Sequence, residues 1–306
     1  MQNTTQALAL LGGGIWGRKI LRDLVALGAA VTVFEPLAGR HAELAELGAV
    51  AVRADFPAPG DDFAGFVVAT PSTTHRAVLE RLLPLDRPVF LEKPLTTTLA
   101  DAEALARLDV SRVFLMHVWR YHPGILALAE VARTRVLGEL KGIRSVRANW
   151  TSPRGDTDAL WNLAVHDLTI AHAILGYLPE PRAALAERHG GVIRSFQAFL
   201  GEEPYLSLEV SNRYERKVRE VRLHCTGGVA VLPSVDADHV LLVYGDDRSD
   251  PGEVRREKRV FGGESALVAE LREFLGYLGG GAAPRCGFGE GLEVIRMLDA
   301  LERMSA

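Results

Sequence analysis

The sequence predicts an α/β protein, with a doubly wound parallel sheet at the N-terminus followed by an α/β domain built on an open, mostly antiparallel sheet. Its 306 residues suffice for about two domains of roughly 100–200 residues each. In the first third, short apolar runs alternate with helical patterns, which is typical of βαβ units. Beyond residue 118, strand-like runs separated by glycine turns predominate. We therefore predict domains at residues 1–118 and 119–306.

The apolar patterns also predict the individual elements. In the N-terminal domain they indicate strands at residues 7–11, 30–34, 50–52, 65–69, 88–91 and 113–116, and helices at 15–27, 38–47, 74–83 and 98–108. In the C-terminal domain they indicate strands at residues 142–150, 192–200, 205–212, 218–226, 229–232 and 239–244, and helices at 122–137, 159–175, 265–278 and 289–304. Strands that alternate with helices favour parallel pairing, whereas strands joined by short turns favour antiparallel pairing.

The composition excludes several classes of function. The net charge is −4, so no basic field directs the chain to nucleic acid or to anionic lipid. Its two cysteines, Cys225 and Cys286, are too few for a disulfide framework or a zinc cluster, and we expect no metal. The uncharged stretch 2–17 is too short to span a bilayer and follows no basic residue, so we expect neither a membrane partner nor a signal peptide. The prediction is therefore a cytoplasmic protein.

Gly12, Gly14 and Gly17 form a G-x-G-x-x-G motif between a predicted strand and a predicted helix. In this position the motif is typical of a Rossmann dinucleotide site. The first glycine permits a tight turn, the second lets the backbone approach the pyrophosphate, and the third lets helix and strand pack closely. Glu35 ends the second strand, 18 residues after Gly17, where a carboxylate binds ribose hydroxyls and repels a 2′-phosphate. We therefore expect NAD(H) rather than NADP(H), although Arg40 in the next loop leaves open whether the site also accepts the 2′-phosphate of NADP(H).

Two further signals lie where the fourth and fifth strands end, at the edge where open α/β sheets bind ligands. Thr70 and Pro71 follow the fourth strand, and His75 comes in the first turn of the next helix. Glu92 and Lys93 follow the fifth strand. Each of these residues also has a purely structural interpretation. Thr70 and Pro71 could form a strand-to-helix turn, His75 could be a partly exposed histidine, and Glu92 and Lys93 could form a surface ion pair.

Taken in order, these motifs resemble the glucose–fructose oxidoreductase/inositol dehydrogenase/MocA (Gfo/Idh/MocA) family of NAD(P)-dependent oxidoreductases over nearly the whole chain. The matching motifs are Gly12-Gly13-Gly14-Ile15-Trp16-Gly17, Ala69-Thr70-Pro71 with His75, Glu92-Lys93-Pro94, Arg120-Tyr121-His122-Pro123, Leu137-Gly138-Glu139-Leu140 and Leu160-Trp161-Asn162-Leu163-Ala164-Val165-His166-Asp167-Leu168. Motif and resemblance together imply cofactor contacts at Gly12, Gly14, Ile15, Trp16, Gly17, Glu35, Thr70, Pro71, His75, Glu92 and Lys93.

The resemblance also implies the catalytic residues. Lys93 matches the family's active-site lysine, near the nicotinamide and the reacting oxygen, and Pro94 is often cis in the family. A lysine beside a positive nicotinamide should have a lowered pKa and can relay a proton. His166 matches the family's catalytic histidine, and an imidazole titrates in the range needed to take a proton from a hydroxyl. For His166 the alternative is a structural histidine on a helix face, and Asp167 could orient it or cap nearby backbone.

One position departs from the family pattern. Many relatives carry an aspartate four residues before the histidine, whereas this chain has Asn162. Asparagine can hydrogen-bond a sugar hydroxyl but cannot accept a proton, so the role of base falls on His166 with Lys93 assisting. We expect substrate contacts from Lys93, Tyr121, Trp161, Asn162 and His166. For Tyr121 the alternative is that residues 120–123 start a helix and pack the interface, and for Trp161 it is a place in the core.

These observations favour an oxidoreductase that moves a hydride between NAD(H) and a hydroxyl or carbonyl carbon of a sugar, polyol or nucleotide-linked sugar. The cofactor carries the hydride, and the protein supplies orientation and proton transfer. Two alternatives remain at this point: the same fold reducing imines or double bonds or using NAD without net redox change, and a non-enzymatic dinucleotide sensor. By resemblance, we also expect a homodimer or homotetramer through the C-terminal sheet.

Overall fold

The computed structural model describes residues 6–150, 157–246, 248–250 and 254–306. Its strands are β1 Ala7–Leu11, β2 Ala30–Phe34, β3 Ala51–Arg53, β4 Gly65–Val68, β5 Val89–Glu92, β6 Val113–Met116, β7 Leu140–Trp150, β8 Pro181–His189, β9 Val192–Leu200, β10 Tyr205–Ser211, β11 Arg213–Cys225, β12 Gly228–Leu232, β13 His239–Tyr244 and β14 Arg256–Val260. The α-helices are α1 Ile15–Ala26, α2 His41–Glu46, α3 His75–Leu82, α4 Leu99–Leu105, α5 Pro123–Thr134, α6 Val165–Leu175, α7 Ala266–Leu278 and α8 Phe288–Met304. Among the described helices, none combines the length and apolar composition needed to cross a bilayer.

Strands β1 to β6 form one parallel sheet in the order β3-β2-β1-β4-β5-β6. In its centre, β1 pairs with β2 on one side and with β4 on the other, both in parallel register. The doubly wound sheet that the sequence predicts is therefore confirmed. Because parallel strands end at the same edge, the loops after β1, β2, β4 and β5 share that edge.

The chain forms two compact units, and the first contains the residues up to Val118 together with Glu264–Ile295. The sequence-based ranges assigned that later segment to the second domain instead. Its helix α7 belongs to the first core, where Phe274 stacks on Phe90 of β5 at 4.8 Å between ring centroids. Helical periodicity identifies an apolar face but not the surface that covers it, so the sequence could not place α7.

The second unit contains an eight-stranded sheet in the order β14-β13-β12-β11-β7-β10-β9-β8. All neighbours pair antiparallel except β7 and β10, which run parallel because α6 and two further strands separate them along the chain. The predicted open, mostly antiparallel sheet is confirmed. Strands β8 and β14, which lie at the two edges, are not predicted by the apolar pattern of the sequence. Both are rich in charged residues, as edge strands often are, and therefore lack the apolar alternation that marks inner strands.

Glu270 of α7 is a buried carboxyl group inside the first unit. Its side chain is fully buried, and among the residues that the structure describes neither carboxyl oxygen has a hydrogen-bond partner. Burial, together with the negative charges of Glu92 and Glu273, raises the pKa of the Glu270 carboxyl well above its ordinary value. The folded protein therefore holds this group protonated where the unfolded chain would release the proton.

We predict that Glu270→Gln reduces the loss of stability at alkaline pH. The pKa of Glu270 is raised on folding, so the stability linked to it is fully present below the unfolded pKa and is lost as the pH rises through the folded pKa. Urea-unfolding midpoints measured from about pH 5 to about pH 9 should fall less steeply in the variant than in the wild type. Glu130→Gln is the control. Arg133 lowers the pKa of that exposed carboxyl, so the group titrates below the pH range of the measurement. Equal slopes for wild type and Glu270→Gln would contradict the prediction.

Candidate functional site

The glycine turn after β1 contains two glycines that the fold itself requires. Gly12 has φ of +97°, and a Cβ at this residue would lie 2.6 Å from the carbonyl oxygen of Ala69. A Cβ at Gly17 would overlap the carbonyl oxygen of Gly12. Both residues thus allow β1, α1 and the loop after β4 to approach closely, as the motif predicts.

Gly14 differs, because apart from its neighbours in the chain and the backbone of its own helix no atom of the described protein lies within 4 Å of the position that its Cβ would take. Its backbone, with φ of −69° and ψ of −170°, is one that any residue adopts. Neither packing nor conformation of the protein thus explains a glycine here. The open space leaves room for the close approach of the pyrophosphate that the motif assigns to this glycine, and a contact with the cofactor stays a prediction.

Helix α1 starts beside this turn, and the backbone N–H groups of its first turn have no side-chain cap. Gly14 is its N-cap, no side chain caps it, and its first turn carries no acidic residue. Ile15 and Trp16 in that turn are exposed, at 69% and 37%. An uncapped helix start offers backbone N–H groups and a partial positive charge to an anion, so this end of α1 fits the phosphates of a dinucleotide.

Glu35 lies immediately after β2 and is 3% exposed. Its carboxylate accepts hydrogen bonds from the backbone N–H of Gly13 at 2.8 Å and of Leu37 at 3.0 Å. Burial acts to raise the pKa of this carboxyl, but the bonds from Leu37, Gly13 and Arg40 outweigh it and hold the pKa below its usual range. Glu35 is therefore an ionised carboxylate that is fixed against the glycine turn.

Arg40 forms an ion pair with Glu35, with 3.0 Å between guanidinium nitrogen and carboxylate oxygen. The sequence left open whether Arg40 receives a 2′-phosphate. In the structure its guanidinium is bound to the same carboxylate that would repel such a phosphate. The pair therefore reduces the positive charge available to NADP(H) at this end of the sheet.

His75 connects the loops that follow β4 and β5. It is fully buried, and its Nδ1 lies 2.8 Å from the carbonyl oxygen of Pro94 while its Nε2 lies 3.2 Å from that of Thr70. The Thr74 hydroxyl donates to the carbonyl oxygen of Pro71 at 2.7 Å and lies 2.9 Å from the hydroxyl oxygen of Thr70. The structure thus gives His75 a positioning role that the sequence did not predict, and its contact with a cofactor stays a prediction.

The lysine predicted to be catalytic lies just after β5. Glu92 accepts a hydrogen bond from the backbone N–H of Lys93 at 3.0 Å, and the peptide bond between Lys93 and Pro94 is cis. Together with the His75 contact to Pro94, these interactions fix the backbone that carries Lys93. The loop therefore holds the ammonium-bearing residue at the same edge as the glycine turn and Glu35.

In the second unit, the predicted helix 159–175 begins with a π-helical turn, Leu160–Ala164, and continues as α6. Both Asn162 and Trp161 lie in this turn and are 8% exposed. Asp158 binds the start of the turn by accepting from the backbone N–H of Trp161 at 3.0 Å. The Trp161 indole N–H donates to Glu302 at 2.9 Å, which fixes the ring by packing and by a polar contact. Such widened turns occur frequently at functional sites.

His166 is the second residue of α6, directly after that turn. Its ring meets the edge of Trp119, with 6.4 Å between centroids. Trp119 in turn lies under the guanidinium of Arg147 at 4.3 Å and stacks on His122 at 5.0 Å. The wall beside His166 is thus a stack of aromatic rings covered by a buried cation.

Asp167 is fully buried and binds the sheet rather than its neighbour His166. Its carboxylate pairs with Arg147 at 2.9 Å and accepts the hydroxyl of Ser145, both on β7. Paired charges of this kind tolerate burial, whereas either partner alone does not. The sequence analysis overlooked Ser145 and Arg147, although their strand positions share a face with the buried Ile143.

The junction residues Tyr121 and His122 have different surroundings. Tyr121 is 3% exposed. His122 caps α5, since its Nδ1 accepts from the backbone N–H of Gly124 and its Nε2 donates to the carbonyl oxygen of Val235. Burial lowers the pKa of the His122 imidazole. His122 therefore starts and packs a helix, and substrate contact by Tyr121 stays a prediction.

A further cluster of polar side chains lies behind β6. His117, Cys286 and Glu290 each offer one atom of a type that ligates metal ions, and these three atoms lie within 4.8 Å of one another. His117 Nδ1 lies 3.4 Å from the Glu290 carboxylate, so this contact joins the end of β6 to the first turn of α8. The sequence analysis did not identify this group, because its members are widely separated along the chain.

Comparison with known proteins agrees with the cofactor half of this description. Residues 7–118 match the sequence model of an oxidoreductase family with an NAD-binding Rossmann fold. An inositol 2-dehydrogenase of Paenarthrobacter aurescens is 31% identical over 183 residues, a match that spans 55% of each chain. A UDP-N-acetylglucosamine 3-dehydrogenase of Acidithiobacillus ferrooxidans is 27% identical and matches 95% of this chain and 93% of its own.

Solved structures share the fold across both units. The structure of that UDP-N-acetylglucosamine 3-dehydrogenase matches with a TM-score of 0.81 and 23% identity, and the match covers 98% of both chains. A levoglucosan dehydrogenase in complex with NADH and L-sorbose matches with a TM-score of 0.85 and 17% identity, over 98% of this chain and 96% of its own. At these identities the likeness shows a common fold.

We predict that Gly14→Ala lowers NADH affinity at least about tenfold, roughly 1.4 kcal/mol, without unfolding the protein. The new methyl group meets no protein atom, so the free energy of unfolding should change by less than about 1 kcal/mol. Fluorescence titration with NADH and urea unfolding measure the two quantities. Gly276→Ala in α7 is the matched control, because its Cβ also meets nothing. Unchanged NADH affinity in Gly14→Ala would mean that no ligand approaches this turn.

Proposed function

We propose that the chain is an NAD(H)-dependent dehydrogenase or reductase of the Gfo/Idh/MocA type acting on a CH–OH or C=O carbon, since residues 7–118 match the NAD-binding model of that oxidoreductase family. The substrate class that we propose is a sugar, polyol or nucleotide-linked sugar, since the named relatives act on inositol and on a UDP-sugar. The observation that carries the proposal is the edge of the parallel sheet, where Gly14, Glu35 and Lys93 follow three of its strands. The relatives are named dehydrogenases, which gives no support to imine reduction, redox-neutral chemistry or a sensor.

The residues present fit a dinucleotide. The space beside Gly14 and the uncapped start of α1 suit the phosphates. The ionised carboxylate of Glu35 suits the two hydroxyls of an unphosphorylated ribose. When bound, the nicotinamide would supply the acceptor or donor of a hydride.

Two side chains share the remaining chemistry in this proposal. Lys93 donates a hydrogen bond to the substrate oxygen and stabilises the negative charge that develops there. His166, in its neutral form, accepts the hydroxyl proton during oxidation and returns it during reduction. Asp167 is bound to Arg147 and Ser145, so it does not act as the partner of His166. Asn162 contributes a hydrogen bond to a neighbouring hydroxyl, because its amide cannot take up a proton.

We predict that Lys93→Met and His166→Gln each lower turnover by about a hundredfold or more, while NADH affinity changes less than about threefold. The assay follows NADH formation in a panel of polyols, sugars and UDP-sugars, beginning with inositol and UDP-N-acetylglucosamine. Lys217→Met and His189→Gln are the controls, since both residues lie on strands of the second sheet and are exposed. An equal loss of turnover and of NADH affinity in Lys93→Met would contradict the proposed role of Lys93. NADH binding without turnover of any panel member would contradict the substrate class.

We predict that Glu35→Gln shifts the cofactor preference toward NADP(H). The substitution keeps one acceptor oxygen, so only one of the two backbone N–H groups of Gly13 and Leu37 keeps its partner, and it removes the charge that repels a 2′-phosphate and that binds Arg40. The NADH-to-NADPH affinity ratio should fall about tenfold or more, about 1.4 kcal/mol. Parallel fluorescence titrations measure it. Glu43→Gln removes a more exposed charge that is paired with Arg18, and should leave the ratio unchanged.

A further inference from the structure

The second sheet carries a polar cavity on the face opposite to α6. Its volume is about 330 Å³, within the range of small-molecule sites. Strand register places seven of its nine lining residues on one face, whereas Ser145 and Leu208, which also line it, belong to the alternate strand positions. Arg144 of β7 lies opposite Ser207 of β10 and, on the other side, opposite Arg222 of β11. Ser145 and Arg147, one and three residues after Arg144, bind Asp167 of α6 with their side chains, and these side chains mark the other face.

Gly142 makes room for the Tyr205 ring at one end of this cavity. It lies opposite Tyr205 on β10 and His224 on β11. A Cβ at Gly142 would lie 2.3 Å from the ring atoms of Tyr205, so only glycine lets this ring lie across β7 toward His224, at 6.4 Å between centroids. A glycine within a strand often marks such a close approach.

The cavity has one buried polar atom without a partner and one exposed cation, Arg144, without an ion pair, both among the described residues. His224 Nε2 is buried without a hydrogen-bond partner among the described residues. Within the same described part of the chain, no carboxylate is paired with Arg144, whereas the neighbouring Arg222 binds Glu220 at 2.6 Å. Two arginines directly opposite each other repel, and an anion between them would offset this cost. The charges of Arg222 and Arg144 also act, after burial, to lower the pKa of His224, which is the sign of a positive local potential.

We propose that this cavity binds a small molecule through a phosphate or carboxylate group held by Arg144 and His224. A guanidinium matches the planar pair of oxygens in such a group. The Ser207 and Tyr205 hydroxyls donate further hydrogen bonds, and Glu209 at the far side of the cavity accepts from hydroxyls of the ligand. The ligand class is thus a hydroxylated small anion. This site lies wholly within the second unit and does not depend on the proposed dehydrogenase activity.

The test is a titration of the protein, with ¹³C-labelled histidine, at fixed pH and constant ionic strength. The His224 ring signal is identified by its loss in His224→Gln. Potassium phosphate and potassium acetate are the probes, and potassium chloride controls for ionic strength. We expect a saturable shift of the His224 signal with a dissociation constant of about 1 mM for at least one oxyanion and none for chloride. Saturation by phosphate alone assigns a phosphate group, and saturation by acetate assigns a carboxylate.

Arg144→Met should weaken the oxyanion at least tenfold, about 1.4 kcal/mol. Arg216→Met is the matched control, because that exposed arginine on β11 pairs with Glu215 and lies outside the cavity. The increase in melting temperature caused by the oxyanion gives a second readout, which Arg144→Met should lose and Arg216→Met should keep. A His224 signal that responds to no salt, as when a second copy fills the cavity, overturns the proposal. Equal affinities in the two arginine variants overturn it as well.

Discussion

Parallel hydrogen bonding between β1 and its two neighbours is the constraint on which the cofactor half of this protein depends. Parallel strands end at one edge of their sheet, so residues far apart in sequence meet there. Register between β1 and both β2 and β4 brings the glycine turn, Glu35 and the Thr70 loop together. The backbone of Gly13 binds the Glu35 carboxylate directly, and His75 links the Thr70 loop to the loop of Lys93. The site is thus held by backbone contacts more than by pairs of side chains.

In the second unit, a buried ion pair has the corresponding role. Asp167 and Arg147 fix α6 on β7, and Arg147 covers the ring of Trp119 that lies beside His166. A buried ion pair adds little net stability compared with apolar packing. It does fix the position of the helix on the sheet, because a shifted helix would leave two buried charges unpaired. The proposed catalytic histidine is therefore positioned by its neighbour in sequence, without a hydrogen bond between the two.

Local patterns were sufficient where short-range physics decides the outcome. Strand β1, the start of α1 at Ile15 and strand β6 have the predicted bounds, because apolar periodicity and glycine chemistry specify them. Local patterns failed for β8 and β14, whose charged sequences suit an edge that only the finished sheet defines. They also missed the π-helical turn at Leu160–Ala164, since a widened turn keeps a helical apolar pattern while changing the spacing of side chains.

The sequence by itself determined the fold class, the glycine turn and the acidic residue at the end of β2, because each depends on residue type at a fixed spacing from a strand. Tertiary structure decided the rest. It assigned α7 to the first core, bound Asp167 to Arg147 rather than leaving it to orient His166, and placed Arg144, Tyr205 and His224 on one face of the second sheet. The physical reason is that an apolar face or a charged side chain specifies what kind of partner it needs, whereas only the folded chain determines which partner comes within reach.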